Sequence, residues 1–255
     1  MNKRRVVITG LGVLAPNGNS LTQYWNALIS GKSGIGPIKG FDAENLSVKI
    51  AGELSDFNPE DHFNRKEVGK LDPFSIYALV TAQEAISQAG LNNGDVNKER
   101  IGVIIGTGVG GIQTLESQHG VLLSRGQRRV TPYFVPKFIA NIAAGQIAIH
   151  HGFQGTNHTV ISACASGTDA IGTAARTIQY GDADVVITGG TEASVTPLTI
   201  SGFANMRALS TRNDDPTSAS RPFDLDRDGF VLGEGAASLI LEDAEHAKAR
   251  GATIL

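Results

Sequence analysis

The sequence predicts an α/β fold built on a mostly parallel sheet, and three observations carry that prediction. Apolar, β-branched runs recur along the chain and end in glycine or another small residue. Helical patterns fill the intervals between them. Hydrophobic residues make up 41% of the 255 residues, enough for a packed core, whereas charged residues are only 18%. That charged share is below the roughly 25% of an average globular chain, so much of the surface is expected to be covered.

The elements follow in order. Residues 5–10, 101–106, 158–163 and 184–189 are short and near-continuously apolar, the pattern of parallel strands buried on both faces. The basic cluster Lys3-Arg4-Arg5 abuts the first of them as a strand entrance. Residues 22–30 predict a helix with Thr22 as its N-cap, and 72–90 a second, with Ile76, Leu79, Val80 and Ile86 on its apolar face and a glycine stop. The segment 140–152 is helical and rich in small residues, so close packing is expected. The clearest helix is 166–180, closed by Gly181-Asp182. A last strand at 236–242 leads into a helix at 243–250, and a new apolar run from Gly251 stops at Leu255. The segment 192–227 reads as a long polar loop punctuated by Pro197, Gly202, Pro216 and Pro222, with Arg207, Arg212, Asp214 and Asp215 as a charged cluster. A loop of that length in a compact domain points to function.

Composition removes several classes. The net charge of −3 comes with no basic block, which argues against a nucleic-acid partner. No stretch approaches about 18 uninterrupted apolar residues, so no membrane span is expected. The first 20 residues contain Gly10, Gly12, Pro16 and Gly18 and lack the apolar core of a signal peptide. The 31 glycines follow no collagen-like period. One cysteine, Cys164, leaves no intramolecular disulfide and no multi-cysteine zinc site, which fits a reducing cytoplasm. Neither a metal nor another cofactor is expected.

Cys164 follows the apolar run 158–163 and precedes small residues that open a helix. A side chain at such a turn stands at the C-terminal edge of the sheet, where α/β proteins bind ligands. Free N–H groups at the helix start can hydrogen-bond an anion, including the oxyanion of acyl transfer. The small neighbours Ala163, Ala165, Ser166 and Gly167 leave room for a substrate carbonyl. The competing reading is a buried, inert thiol. A cysteine acyltransferase also needs a proton-transfer partner, and none of the six histidines is an evident one. On the strand predicted at 158–163, His158 shares a face with Cys164 but lies roughly 20 Å away. His150-His151 sits at a helix end as a complement to the helix dipole. His62 and His246 fall in polar surface segments, and His119 has no nearby partner.

Two glycine runs offer a rival reading. Gly106, Gly108 and Gly111 match GxGxxG between a strand and a helix, and Gly10, Gly12 and Ala15 match its GxGxxA variant. Pro16, Asn17 and Gly18 would break the helix after the second run. No strand ending in an acidic residue follows the first at the distance ribose binding needs. The plainer reading is that these glycines let backbones and an extended ligand pass closely.

Four long segments share a resemblance, in the same order: RVVITGLGVLAPNGN, IGVIIGTGVGG, TVISACASGTDAIGTAARTIQYGDADVVITGGTEA and GFANMRALSTRNDDPTSASRPFDLDRDGFVLGEGA. Together they resemble the β-ketoacyl-acyl-carrier-protein synthases, particularly the type II elongating enzyme. The resemblance implies a thiolase-like layered fold, of which residues 1–250 are the first half, a five-stranded mixed sheet with helices on both faces. Residues 251–255 would open a second half that is missing, and with it the family's two catalytic histidines and active-site lysine. It further implies a decarboxylating acyltransferase of fatty-acid elongation in which Cys164 takes an acyl chain from acyl-carrier protein as a thioester. The carbanion of malonyl-carrier protein would then attack that thioester. Val109, Phe134 and Phe203 look similar to positions that shape the acyl tunnel or its gate, and Lys66, Lys70 and Arg207 to basic positions that contact the carrier protein. A cytoplasmic homodimer is implied, with strand 158–163 pairing across the two-fold axis. A polyketide-type ketosynthase, or an inert fragment that binds carrier protein or a partner half, are the alternatives.

Overall fold

Residues 3–54, 56–92 and 96–255 are described by the computed structural model. Strand β1 (Val6–Leu14) is followed by helix α1 (Leu21–Ile29), the short strands β2 (Gly36–Pro37) and β3 (Ile50–Ala51), and helices α2 (Arg65–Val68) and α3 (Pro73–Gln88). Strand β4 (Ile101–Gly106) leads to α4 (Ile112–Arg125), α5 (Phe134–Phe138) and α6 (Ile142–His151). Then come β5 (Asn157–Val160), α7 (Ser166–Gln179), β6 (Val185–Glu192), α8 (Pro197–Asn205), β7 (Gly235–Asp243) and α9 (Ala244–Ala249).

Five strands form one sheet in the order β1-β7-β6-β4-β5. The pairs β6·β4 and β4·β5 are parallel, whereas β1·β7 and β7·β6 are antiparallel, so the sheet is mixed rather than mostly parallel. An apolar run carries no sign of direction, which is why the pattern of residues alone did not separate the two cases. Helices cover both faces. Phe74 and Ile86 of α3 and Ile147 of α6 pack with Val103, Ile105, Ile187 and Ile240 on one face. Ala170, Ala174 and Ile178 of α7 pack with Ile104, Val186 and Leu241 on the other. Side chains that alternate along β4 and β6 therefore all meet a core, which accounts for their unbroken apolar runs.

Strand β1 continues through Gly10 and Gly12 to Leu14. A side chain at either glycine would overlap a backbone carbonyl of α3, Ala85 or Thr81 respectively. The GxGxxA pattern is thus the mark of a helix lying flat on a strand. At the entrance to β1, Arg4 bridges Asp184 at 2.8 Å. Helix α1 is capped by Ser20, whose hydroxyl accepts from the Gln23 amide at 3.3 Å, rather than by Thr22. Asp72 caps α3 as its position suggests, accepting from the Phe74 amide at 3.2 Å. Its second oxygen accepts from the Thr114 amide of α4 at 2.9 Å, so one fully buried carboxylate ends two helices. Burial pushes that carboxyl above its ordinary range, against the pull of these amides.

The segment 192–227 is not an open loop, because it holds α8, whose cap Thr196 accepts from the Thr199 amide and whose first residue is Pro197. Proline there is a start signal, since its missing N–H is unused in the first helical turn. Two histidine assignments change as well. His246 meets the fully buried Glu242 at 2.6 Å and is not simply a surface residue. His151 stacks on Phe153, and burial, with His150 and Lys98 nearby, pushes its pKa down to about 4. A neutral ring cannot complement the helix dipole. Because the fold holds this imidazole neutral, the unfolded chain takes up its proton first, and stability falls as pH drops from 6.5 towards about 4. Thermal melts across that window are expected to show the fall, and His151→Phe to flatten it. An unchanged slope in the variant would assign the pH dependence to other groups.

Candidate active site

Strand β5 ends at Val160, three residues earlier than expected, and the chain turns before α7 begins. His158 and Cys164 therefore do not share a strand. The turn is built by Ser166, whose hydroxyl donates to the Ala163 carbonyl at 2.6 Å and accepts from the Ser162 amide at 2.9 Å. Ala163 is held at φ 52°, a left-handed conformation that costs a non-glycine residue roughly 1–2 kcal/mol. Cys164 projects exposed from this elbow. The thiol is therefore not buried in this chain. Helix α7 has no side-chain cap, so the N–H groups at its start are not taken by a capping side chain.

Gly106, the last residue of β4, lies beneath the elbow. A methyl group there would overlap the Ser166 carbonyl. Gly106→Ala is expected to push the start of α7 away and to destabilise the fold by about 1–3 kcal/mol. Denaturant unfolding measures that loss, and an unchanged midpoint would mean that α7 shifts freely on the sheet.

Cys164 opens on a cleft of about 530 Å³ lined by Val109, Phe203, Phe230 and Leu232 together with Gly106, Gly167, Gly190 and Gly233. Phe203 of α8 meets Phe230 edge-on, with ring centroids 5.3 Å apart. An exposed thiol over an apolar trough is suited to hold an extended apolar chain by its activated end. No histidine or lysine among the described residues lines the cleft. Among the described residues, no group of three or more His, Cys, Asp or Glu side chains is placed to hold a metal ion. No helix among them is long and apolar enough to cross a membrane.

The structure brings Cys164, Val109 and Phe203 together. Phe134 lies outside this cleft, stacked on Phe138 in α5 at 5.6 Å. Lys66 is on α2, and Lys70 lies 5.8 Å from the Tyr133 ring centroid. Arg207 follows α8 and lines, with Arg221, Arg227, Phe223 and Asp228, a groove of about 840 Å³ that shares Phe230 with the Cys164 cleft. Sequence reasoning missed Phe230 and Glu192 as cleft residues. The available signal for Glu192 was its place at the C-terminal end of β6, on the ligand-binding edge of the sheet.

The GxGxxG run at 106–111 does stand between β4 and α4, but its donors are engaged within the chain. Gly108 N–H donates to Glu192 at 2.6 Å, Gly110 N–H to the Thr107 hydroxyl at 3.2 Å and Gly111 N–H to the Phe138 carbonyl at 3.1 Å. The protein's own groups thus occupy the donors that a dinucleotide phosphate would use.

The family model for the β-ketoacyl synthase N-terminal domain matches residues 3–247, and the chain belongs to that family. It is 50% identical over 254 residues to a 3-oxoacyl-[acyl-carrier-protein] synthase 2 of Synechocystis sp., and 49% identical to the protein of that name in Coxiella burnetii. Both matches cover 100% of this chain and 61% of the relative, so the chain spans about three-fifths of their length. Among solved structures, a β-ketoacyl synthase from Burkholderia phymatum superposes with a TM-score of 0.88 at 34% identity, covering 98% of this chain and 62% of that one. A type II polyketide ketosynthase, solved in complex with its acyl-carrier protein, superposes at 0.86 and 34% identity, covering 99% and 61%. The mixed five-stranded sheet with helices on both faces is the thiolase-like arrangement these proteins share.

Proposed function

We propose that this chain is the nucleophile-bearing part, residues 1–250, of a β-ketoacyl-acyl-carrier-protein synthase acting in fatty-acid elongation. The observation that carries the reading is the exposed Cys164 at the β5–α7 elbow, opening on an apolar cleft. The thiolate attacks the carbonyl of an acyl-carrier-protein thioester, the carrier's phosphopantetheine thiol leaves, and the acyl group is held on Sγ. The Cys164 N–H serves as one oxyanion donor. Val109 and Phe203 bound the acyl chain, with Phe203 at the gate, and Phe134 belongs to the tunnel of the assembled enzyme. Lys66, Lys70 and Arg207 meet the acidic carrier protein. The assembled enzyme is a cytoplasmic homodimer joined along β5, which is an edge strand with exposed Asn157 and His158 beside an Ile161 that is 60% exposed.

Decarboxylating malonyl-carrier protein needs groups that this cleft does not present, so the chain is expected to accept an acyl group without extending it. Intact mass after incubation with palmitoyl-carrier protein, followed by malonyl-carrier protein, tests both steps. One acyl adduct with no β-ketoacyl product is the expected result. Absence of the adduct overturns the reading in favour of a chain that only binds carrier protein or a partner half. Faster loading from β-ketoacyl than from saturated thioesters would favour a polyketide substrate, in line with the hexaketide bound in the type II complex of known structure.

A further inference from the structure

Glu192 lines the cleft but has no part in the chemistry above. Its hydrogen-bond partners all belong to one loop. Its Oε2 accepts from the Gly108 amide at 2.6 Å, and its Oε1 accepts from the Thr107 hydroxyl at 3.2 Å. Because Thr107 Oγ1 already accepts from the Gly110 amide, its proton is directed at the carboxylate. The Val109 and Gly110 amides also face the same carboxylate. Successive N–H groups converging on one anion form a nest, normally a phosphate site, and here the anion is supplied by a strand 84 residues away. Burial pushes the Glu192 carboxyl above its usual range while these donors pull it back. An apolar residue would fill the same place without the cost of a buried charge, so the loop has a use for the anion.

That use is visible in what the loop carries. Val109, 49% exposed, stands in the cleft between two residues whose amides are tied down. Gly108 passes within about 4 Å of the Ala163 carbonyl at the strained elbow before Cys164, measured from the position a Cβ would take. We propose that Glu192 is a positioning residue whose carboxylate fixes the 107–110 loop, and thereby sets the place of Val109 and the acyl-chain length the cleft accepts. The last step rests on the acyl-accepting reading of the cleft; the fixing of the loop does not.

Glu192→Gln keeps the volume but replaces one acceptor oxygen with a donating amide, which then faces Thr107 or the loop amides. In the full chain, hydrogen-exchange protection of the 108–110 amides is expected to fall about tenfold, the size of one lost charge-assisted hydrogen bond. The ratio of octanoyl to palmitoyl loading from the carrier protein should shift by a similar factor, while the melting temperature stays within about 3 °C. A larger fall in melting temperature with unchanged selectivity would mark a merely structural role and overturn the proposal. Unchanged exchange in the loop would overturn it whatever the acyl data show. If the unsubstituted chain loads neither acyl group, the acyl reading itself falls and takes the selectivity claim with it, while exchange still decides whether Glu192 holds the loop.

Discussion

Cys164→Ala is expected to abolish the covalent acyl adduct while leaving the fold in place. The two halves of that result rest on different observations. The adduct needs a nucleophile at the elbow, and the chain has no second cysteine to substitute for it. The fold does not need the sulfur, because Cys164 is exposed and the turn is held by Ser166, Ser162 and Ala163. An exposed replacement of this kind changes stability by no more than about 0.5 kcal/mol. Intact mass with palmitoyl-carrier protein, beside a thermal melt, measures both at once. An adduct that persists in the variant would place the nucleophile elsewhere. A collapsed melt would make the cysteine structural and remove the basis for the proposed activity.

Arg250→Ala is expected to give the largest loss of stability, about 3–5 kcal/mol, because it strands a buried charge. Glu242 is fully buried near the end of β7. Arg250 reaches it with Nε at 2.6 Å and Nη2 at 2.7 Å, His246 adds a contact at 2.6 Å and the Thr9 hydroxyl one at 2.8 Å. The third guanidinium nitrogen donates to the Ala89 carbonyl at 2.7 Å, so the same side chain also fastens the end of α3. Burial raises the Glu242 carboxyl, but Arg250, His246 and Thr9 together hold it below its ordinary range. This pair therefore stabilises the fold at neutral pH, and its contribution is lost as pH falls below about 4.5. In urea, the variant should unfold at a clearly lower midpoint, and adding Glu242→Leu should restore part of the loss by removing the stranded charge. If Arg250→Ala alone leaves the midpoint in place, water reaches Glu242 and the pair is not buried in effect.

Much of this architecture was legible from local pattern. Five apolar runs became the five strands of the sheet, and Asp72 and Ser166 mark the starts of α3 and α7 as read. The place of Cys164 was legible because a lone thiol between an apolar run and a string of small residues falls where a strand hands over to a helix. What escaped were signs and distances. Direction is not encoded in an apolar run, so the antiparallel placement of β1 and β7 was hidden. Helix α8 was obscured because Pro197 serves equally as a breaker and as a first helical residue. Thr22 and Ser20 are both good caps, and only the geometry of the turn selects between them. Glu192 acts on a loop 84 residues away, and no short-range spacing announces a carboxylate that another part of the chain will surround. For Glu242 the nearby His246 and Arg250 were visible, but not its burial or its Thr9 partner 233 residues away.

The carboxylate of Asp72 also bears on how this protein assembles. Because it serves the first turn of α3 and the first turn of α4 together, neither helix has its complete end until the other is in place. Partial unfolding that frees one helix leaves the other with a donor or an acceptor unmet in the interior. The two segments, separated by strand β4, are thereby bound into one cooperative unit and are expected to open together rather than helix by helix.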